Sequence, residues 1–161
     1  MDNKIFNKAL TDFMNDFATG DAIRHLADRG FTVPEIKERL DFPASLEHIG
    51  ACVWEHFLKT GVICLEDPAG KDTFIIYKTI KETDSFGRIS FRQVKEEAKN
   101  APKEYLSCDF GTLIRKDAKK LEGLEQRDLD YLLFLPWPAH TVWHVADERM
   151  KRISSFIALK A

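Results

Sequence analysis

Residues 32–63 read TVPEIKERLDFPASLEHIGACVWEHFLKTGVI, and this stretch predicts two helices joined by a short turn. Thr32 and Glu35 stand three residues apart, which is the spacing of a capping box at a helix start. Pro34 lies within the first turn, where the missing N–H of proline is tolerated. The first of the two helices is therefore predicted over 33–40.

The second helix of this stretch has its own start and stop signals. Pro43 disfavours a helical conformation at the residue before it, and Ser45 can then cap the next helix. Apolar residues recur at steps of three and four until Gly61, so we expect the helix to end at that glycine. The apolar positions are Leu46, Ile49, Val53, Phe57 and Leu58.

After Gly61 the apolar period changes from helical to two, which is typical of strands. In the last of these segments, Ile89 and Phe91 fall on one face and Arg88, Ser90 and Arg92 on the other. Turns are expected at 67–70 and 82–85. The pattern predicts three strands of a small antiparallel sheet, at 62–65, 73–81 and 88–94.

Residues 2–18 predict an amphipathic first helix whose apolar stripe is rich in phenylalanine. The stripe either packs on the domain or supplies a dimer surface through Phe13 and Phe17. Gly20 predicts a helix stop, and a short helix is expected from there to residue 28.

The C-terminal part predicts a charged connector followed by short helices. Residues 105–114 fit either a strand or a loop. The segment Leu135–Pro138 either exposes Trp137 as a ledge for a protein partner or pins the last two helices together through Trp137 and Trp143. The connector is predicted at 95–103 and the helices at 117–121, 129–134 and 139–159.

Length and composition bound the class of protein. A chain of 161 residues with 44% hydrophobic and 31% charged residues predicts one soluble α+β domain with an appendage. The expected parts are a leading helix at 1–20, a module at 21–94 and a helical extension at 95–161 packed on the same domain.

The lack of a signal-peptide pattern and the number of cysteines predict a cytoplasmic protein. The first ten residues lack the layout of a signal peptide, and no apolar run approaches the roughly 18 residues of a membrane span. The odd number of cysteines, three, without C-x-x-C spacing favours reduced thiols over a disulfide framework.

Residues 22–94 resemble the winged helix-turn-helix superfamily. The resemblance rests on TVPEIKERL before the turn, SLEHIGACVWEHFLKT in the recognition position, and GVI leading into strands that stand where the wing would be. It implies a recognition helix in the major groove of duplex DNA and a wing on the backbone or in the minor groove.

The charged residues of this stretch argue against a recognition helix that lies in the major groove. Residues 32–61 hold three basic residues against five acidic ones, and the recognition helix has no arginine for a bidentate guanine contact. The helix offers polar groups at its start, whereas the basic residues collect in the wing strands. The candidate nucleic-acid-binding residues are Ser45, Glu47, His48, Lys78, Lys81, Arg88 and Arg92.

Two histidines in the predicted last helix raise a metal hypothesis. On one helix His140 and His144 would share a face with Asp147, and two imidazoles with a carboxylate can hold zinc. HTVWH lacks the glutamate that follows the first histidine in catalytic zinc helices, so chance spacing stays an alternative.

No motif for nucleophilic catalysis, phosphate binding or a cofactor is present in the sequence. The sequence therefore favours a non-enzymatic binding or regulatory protein without a cofactor, with duplex DNA as one partner. The alternatives are a protein-protein interaction or structural module, a homodimer among them, and a metal-dependent enzyme as a third.

Overall fold

The computed structural model describes residues 3–68, 73–99 and 104–160 and, apart from residues 3, 6, 9–18, 73–76 and 97–99, their side chains. These residues form an α+β fold, as the sequence predicts. The helices are α1 (Asn3–Asp28), α2 (Val33–Arg39), α3 (Leu46–Thr60), α4 (Phe110–Lys116), α5 (Gln126–Leu133) and α6 (Glu148–Leu159), with a 3₁₀ turn at Ala118–Leu121. The strands are β1 (Ile63–Cys64), β2 (Thr73–Thr83), β3 (Ile89–Lys99), β4 (Tyr105–Cys108) and β5 (Val142–Val145).

The chain divides into two compact units. The first consists of Met1–His56 and Gly123–Trp137, and the second of Phe57–Glu122 and Pro138–Ala161. The first unit therefore holds α1, α2, most of α3 and α5. The second holds all five strands, α4 and α6, so residues 95–161 contribute to both units.

Local signals in the first unit act as predicted for α2 and α3. The Thr32 N–H donates to Oε2 of Glu35 at 2.8 Å, and the Ser45 hydroxyl accepts from the His48 N–H at 3.1 Å. Burial of the Glu35 carboxylate raises its pKa, but the Thr32 hydrogen bond and the Arg127 charge lower the pKa more, so it lies below the ordinary value. Each helix start therefore has its exposed N–H groups partly satisfied by a side chain.

Helix α1 corrects the predicted helix stop at Gly20. The helix continues through that residue to Asp28, because Gly20 is buried within it and Ile23 and Ala27 continue its apolar side. The positive φ that marks a glycine helix end is found instead at Gly30, where φ is 86°.

The first unit fixes α3 through a close backbone contact and a cluster of rings. A Cβ on Gly50 would meet the carbonyl oxygen of Phe134, so only glycine fits there. The Trp137 ring is buried, with its centroid 5.2 Å from that of Trp54 and 6.3 Å from that of Tyr131. The short helix predicted at 129–134 is confirmed as α5, beginning three residues earlier.

In the second unit, β1, β5 and β4 form an antiparallel sheet in that order. The Tyr105 hydroxyl donates to the Gly61 carbonyl at 2.7 Å, where Gly61 ends α3 as predicted with a φ of 77°. The alternative of a strand at 105–114 is confirmed for β4, which gives way to α4 where Asp109 accepts from the Thr112 N–H at 3.1 Å.

The predicted helix over 139–159 is wrong at its start. Residues 142–145 form β5, since Val142 and His144 are buried while the residues between and after them are only partly so. This period of two overrides the helical spacing of the apolar residues. Helix α6 begins only after Asp147, whose carboxylate accepts from the Met150 N–H at 2.8 Å.

Strands β2 and β3 form a separate hairpin of eleven residue pairs. The predicted three-stranded sheet is wrong, since among the described strands β1 pairs with β5 instead of joining the hairpin. The connector predicted at 95–103 is wrong for its first half, because β3 continues to Lys99. The high charge of that segment led to the connector prediction, whereas the strand keeps its charged residues Lys95 and Glu96 exposed.

Candidate nucleic-acid interface

Register gives the hairpin two chemically different faces. Directly paired residues of antiparallel strands point to the same side, so alternate pairs alternate between the faces. All residues from Tyr77 to Gln93 are exposed, so both faces meet solvent over this length. We name them the lysine-aromatic face (Tyr77, Thr79, Lys81, Thr83, Ile89, Phe91, Gln93, Lys95) and the ion-pair face (Lys78, Ile80, Glu82, Ser90, Arg92, Val94, Glu96).

From Tyr77 to Lys95 the lysine-aromatic face carries cations and rings but no acidic residue. Tyr77 pairs with Lys95, and Lys81 pairs with Phe91, so each ring has a lysine directly across from it. Phe91 is 63% exposed and Tyr77 42%. None of the eight residues named for this face is acidic, and the next pair on the same side of the register is Ile75 with Glu97. Over its named length the face is therefore positively charged.

The ion-pair face neutralises its own charges. Lys78 Nζ lies 2.7 Å from Oε2 of Glu96, and an Arg92 guanidinium nitrogen lies 2.9 Å from Oε1 of Glu82. Exposed pairs of this kind contribute at most about 1 kcal/mol to stability, but they cancel the local field. The two predicted binding residues Lys78 and Arg92 thus lie beside carboxylates.

The turn of the hairpin lies at residues 84–88 instead of the predicted 82–85. The Asp84 carboxylate accepts from the N–H groups of Phe86 and Arg88, both at 2.9 Å, and Gly87 has a φ of 77°. Phe86 is 84% exposed, and the Arg88 guanidinium lies 5.9 Å from its ring centroid. Arg88 therefore belongs to the turn and not to a strand face.

Helix α3 exposes an acidic surface. Its predicted base-reading residues Ser45, Glu47 and His48 are exposed at the helix start, but Glu55 is the next charged side chain along that surface. Lys59 lies only in the last turn, where its Nζ is 5.5 Å from the Tyr77 ring centroid. Lys59 therefore adds positive charge beside the lysine-aromatic face and leaves the start of α3 without a lysine.

The predicted metal residues do not share a helix face. His140 is exposed in the loop before β5, where its Nδ1 lies 3.1 Å from the Thr141 carbonyl. His144 is buried in β5 and donates from Nδ1 to the Val145 carbonyl at 2.7 Å, and Asp147 caps α6. Within the described residues no group of three or more potential ligands could hold a metal ion. The helical premise of this hypothesis is wrong because β5 is a strand.

The residues predicted to form a partner surface, Trp137 and the pair Phe13 and Phe17, lie in different places. Trp137 is 4% exposed, which corrects its assignment to an exposed ledge, and its neighbour in the alternative prediction, Trp143, lies in β5 instead of a last helix. Phe13 and Phe17 lie in α1, and their side chains are outside the described residues.

Three members of the lysine-aromatic face are not among the binding residues predicted from the sequence. Tyr77 and Phe91 were read only as strand residues, and Lys95 was assigned to a connector. A hairpin register counted outward from Asp84 and Gly87 would have placed all three together, because those residues fix the turn.

Comparisons with known proteins give no assignment, since no protein-family model, curated protein or solved structure matches the chain. None of the helices in the described segments has the length and apolar character needed to cross a membrane.

Proposed function

We propose that the protein is a non-enzymatic, regulatory nucleic-acid-binding protein that meets its partner through the lysine-aromatic face. The observation that carries this proposal is the sorting of charge on the hairpin: from Tyr77 to Lys95 the lysine-aromatic face holds two lysines and no acidic residue, on a chain whose formal net charge is -2. Nucleic-acid affinity comes mainly from cations that replace the counterions of phosphates, so a face that is basic over this length on an acidic protein is the place to expect contact.

The basic residues of the hairpin contribute unequally to binding in this proposal, and one of them, Lys95, was not predicted from the sequence. Lys81 and Lys95 contact phosphates, and Arg88 can add a contact from the turn. Lys78 and Arg92 contribute less because Glu96 and Glu82 already neutralise them.

Helix α3 does not read bases in this proposal. The surface with Glu47 and Glu55 would repel a groove lined by phosphates. The hairpin then takes the role of the wing in the winged helix-turn-helix proteins that residues 22–94 resemble, and it does so without a recognition helix.

The chemistry of Cys108 favours a non-enzymatic role. The thiol lines a cavity of about 320 Å³ together with Ser107, Asp109 and Ser154, a setting that could suit a nucleophile. Burial, with a smaller effect of the Asp109 charge, raises the pKa of Cys108 to about 12. The reactive thiolate is therefore scarce at neutral pH. Cys52, Cys64 and Cys108 form no disulfide, which fits the proposed cytoplasmic location.

A protein-protein interaction module is the second candidate function, favoured by an apolar groove in the first unit. The groove lies between the start of α3 and the end of α5, with Glu47 at its rim. A partner with apolar and basic side chains would fit it. Its other lining residues are Leu46, Ala51, Leu133, Phe134, Leu135 and Pro136. A purified partner that binds wild type but not Leu133→Asp, with nucleic acid absent, would favour this role over the first.

Fluorescence anisotropy of a labelled DNA duplex and of its separate strands tests the proposal. We expect binding at low salt, with log K falling linearly as log salt rises, by about 0.7 to 0.9 per phosphate neutralised. The Lys81→Glu/Lys95→Glu variant should lose binding by at least about tenfold, because two phosphate contacts become repulsive. Lys78→Glu/Arg92→Glu is the matched control, since it changes the net charge equally on the other face. Absence of binding to any DNA, or equal losses in the two variants, would contradict the proposal.

A further inference from the structure

Cations alone do not explain the lysine-aromatic face, because it also exposes rings. Phosphate contacts need no aromatic side chain, and an exposed Phe is a liability that solubility disfavours. Phe91 and Tyr77 are nevertheless exposed to solvent on the lysine-aromatic face. The rings and lysines together fit a partner that has flat apolar surfaces as well as negative charge.

The spacing of this face suits an extended chain of nucleotides. The pair Tyr77 and Lys95 lies four positions along the strands from the pair Lys81 and Phe91, which at about 3.4 Å per residue puts the two rings about 14 Å apart along the hairpin. Within each pair, the Cβ atoms of ring and lysine are about 5 Å apart. A base stacked on a ring would therefore bring its own phosphate within reach of a lysine.

We propose that the lysine-aromatic face binds single-stranded nucleic acid, with unpaired bases stacked on Tyr77 and Phe91 and phosphates contacted by Lys81 and Lys95. This inference rests on the proposed function and names the form of nucleic acid that the same face takes. Exposed aromatic side chains on sheet surfaces, combined with cations, bind unpaired bases in this way with little sequence preference. Lys59 adds a further cation beside Tyr77.

A duplex uses this face less well than a single strand. Base faces in a duplex are covered by their stacked neighbours, so Tyr77 and Phe91 could reach only sugars and base edges. A duplex would then gain the lysine contacts and leave both rings in solvent. Discrimination between the two forms should therefore depend on the rings and not on the lysines.

A second copy of the chain is a poorer occupant for reasons of charge. Two lysine-aromatic faces brought together would place four lysines in one interface, whereas the nearest acidic residue in the register, Glu97, lies beyond the pair of Tyr77 and Lys95. Like charges brought together in an interface cost several kcal/mol. A polyanion removes that repulsion, whereas a second copy creates it.

The test compares a labelled strand of mixed sequence with the same strand annealed to its complement, by anisotropy at one salt concentration. We expect wild type to bind the strand more tightly than the duplex. Phe91→Leu and Tyr77→Leu should each weaken strand binding by about 5- to 150-fold and change duplex binding little, because each removes a stacking platform but no charge. Phe91→Tyr keeps a ring at this position and should bind the strand about as tightly as wild type. Phe86→Leu is the matched control, since it removes an even more exposed ring from the turn.

The outcomes separate this inference from the proposed function. Equal affinity for strand and duplex, unchanged in Phe91→Leu but reduced in Lys81→Glu/Lys95→Glu, would overturn the inference and leave the proposed function standing. No binding of either form would overturn both. A dimer that forms without nucleic acid and dissociates in Phe91→Leu, detected by sedimentation, would overturn the inference in favour of a second copy. Phe91 is exposed, so its variants should fold, and circular dichroism checks that they do.

Discussion

Helix α3 buries one side and exposes the other, whereas the β2–β3 hairpin exposes residues on both of its faces. On α3 the buried residues Ile49 and Val53 fix the orientation of the helix, and the carboxylates of Glu47 and Glu55 face solvent. The hairpin has no such constraint over its exposed length, yet its charges are sorted between two faces. The two regions therefore differ in what fixes their surface: packing sets which side chains of α3 face solvent, and strand register sets which side chains of the hairpin share a face.

Substitution of Gly50 by Ala should have the largest effect, and it tests how firmly packing holds α3. The new Cβ would meet the Phe134 carbonyl oxygen, and a backbone carbonyl does not give way easily. We expect a loss of about 1–3 kcal/mol in the free energy of unfolding, measured in urea. The exposed neighbour Ala51→Ser should cost less than about 0.5 kcal/mol. If Gly50→Ala left the free energy of unfolding unchanged, packing would not hold α3 in place as firmly as the contrast with the hairpin requires.

Lowering the pH should reduce the stability of the fold without changing the affinity of the folded protein for nucleic acid. Burial lowers the pKa of His144, with opposing effects from the Val145 hydrogen bond and the Asp147 charge. The folded protein then binds fewer protons than the unfolded chain below about pH 6.5, so stability falls as the pH drops through that range, by at most about 1.4 kcal/mol per pH unit. Thermal unfolding between pH 7.5 and 5.5 measures this fall. His144→Gln should reduce it and the exposed His140→Gln should not.

The lysine-aromatic face has no histidine, so affinity per folded molecule should stay constant over the same pH range. An affinity that follows the stability of the fold would contradict the separation of the two regions.

The turn of the hairpin offers a pair of variants that remove the same charge. Asp84→Ala deletes the acceptor of two N–H groups, whereas Asp84→Asn keeps an acceptor oxygen in place. We expect Asp84→Ala to weaken the hairpin by roughly 1 kcal/mol and to lower affinity several-fold, although it removes a negative charge. Hydrogen exchange of the β2 and β3 amides reports the weakening. Tighter binding by both variants would show that charge alone decides, against an ordered face.

The smallest effect is expected on DNA affinity, from substitutions at the exposed start of α3. His48→Ala and Glu47→Gln should each change DNA affinity by less than about twofold, since the proposal keeps this surface out of the contact. Anisotropy with strand and duplex measures both variants. A tenfold loss in His48→Ala would restore α3 as the reading element.

The sequence predicts those elements whose signals are local. The Thr32 and Glu35 capping box, Ser45 and Gly61 each act within a few residues of themselves, and α2 and α3 lie where these residues indicate. In β5, the period of Val142 and His144 competes with a helical reading of the same apolar residues. Partners far along the chain decide that competition, since β5 lies between β1 and β4.

The candidate site is harder to predict than the helices for the same reason. Lys95 and Tyr77 are 18 positions apart in the sequence and become neighbours only through the register of the hairpin. A shift of one residue in that register would exchange the faces of an entire strand. The sequence shows which residues are basic or aromatic, but the turn at Asp84 determines which of them share a face.

One measurement tests the central claim most directly, and it deletes no lysine. Gln93→Glu places a carboxylate on the lysine-aromatic face, and Ser90→Glu places the same charge on the ion-pair face of the same strand. Both residues are exposed and both variants have the same net charge, so any difference in affinity for a labelled single strand reports the face. Gln93→Glu should weaken binding by about tenfold and Ser90→Glu by less than about twofold. Equal losses in the two variants would contradict the claim that one face of the hairpin binds nucleic acid.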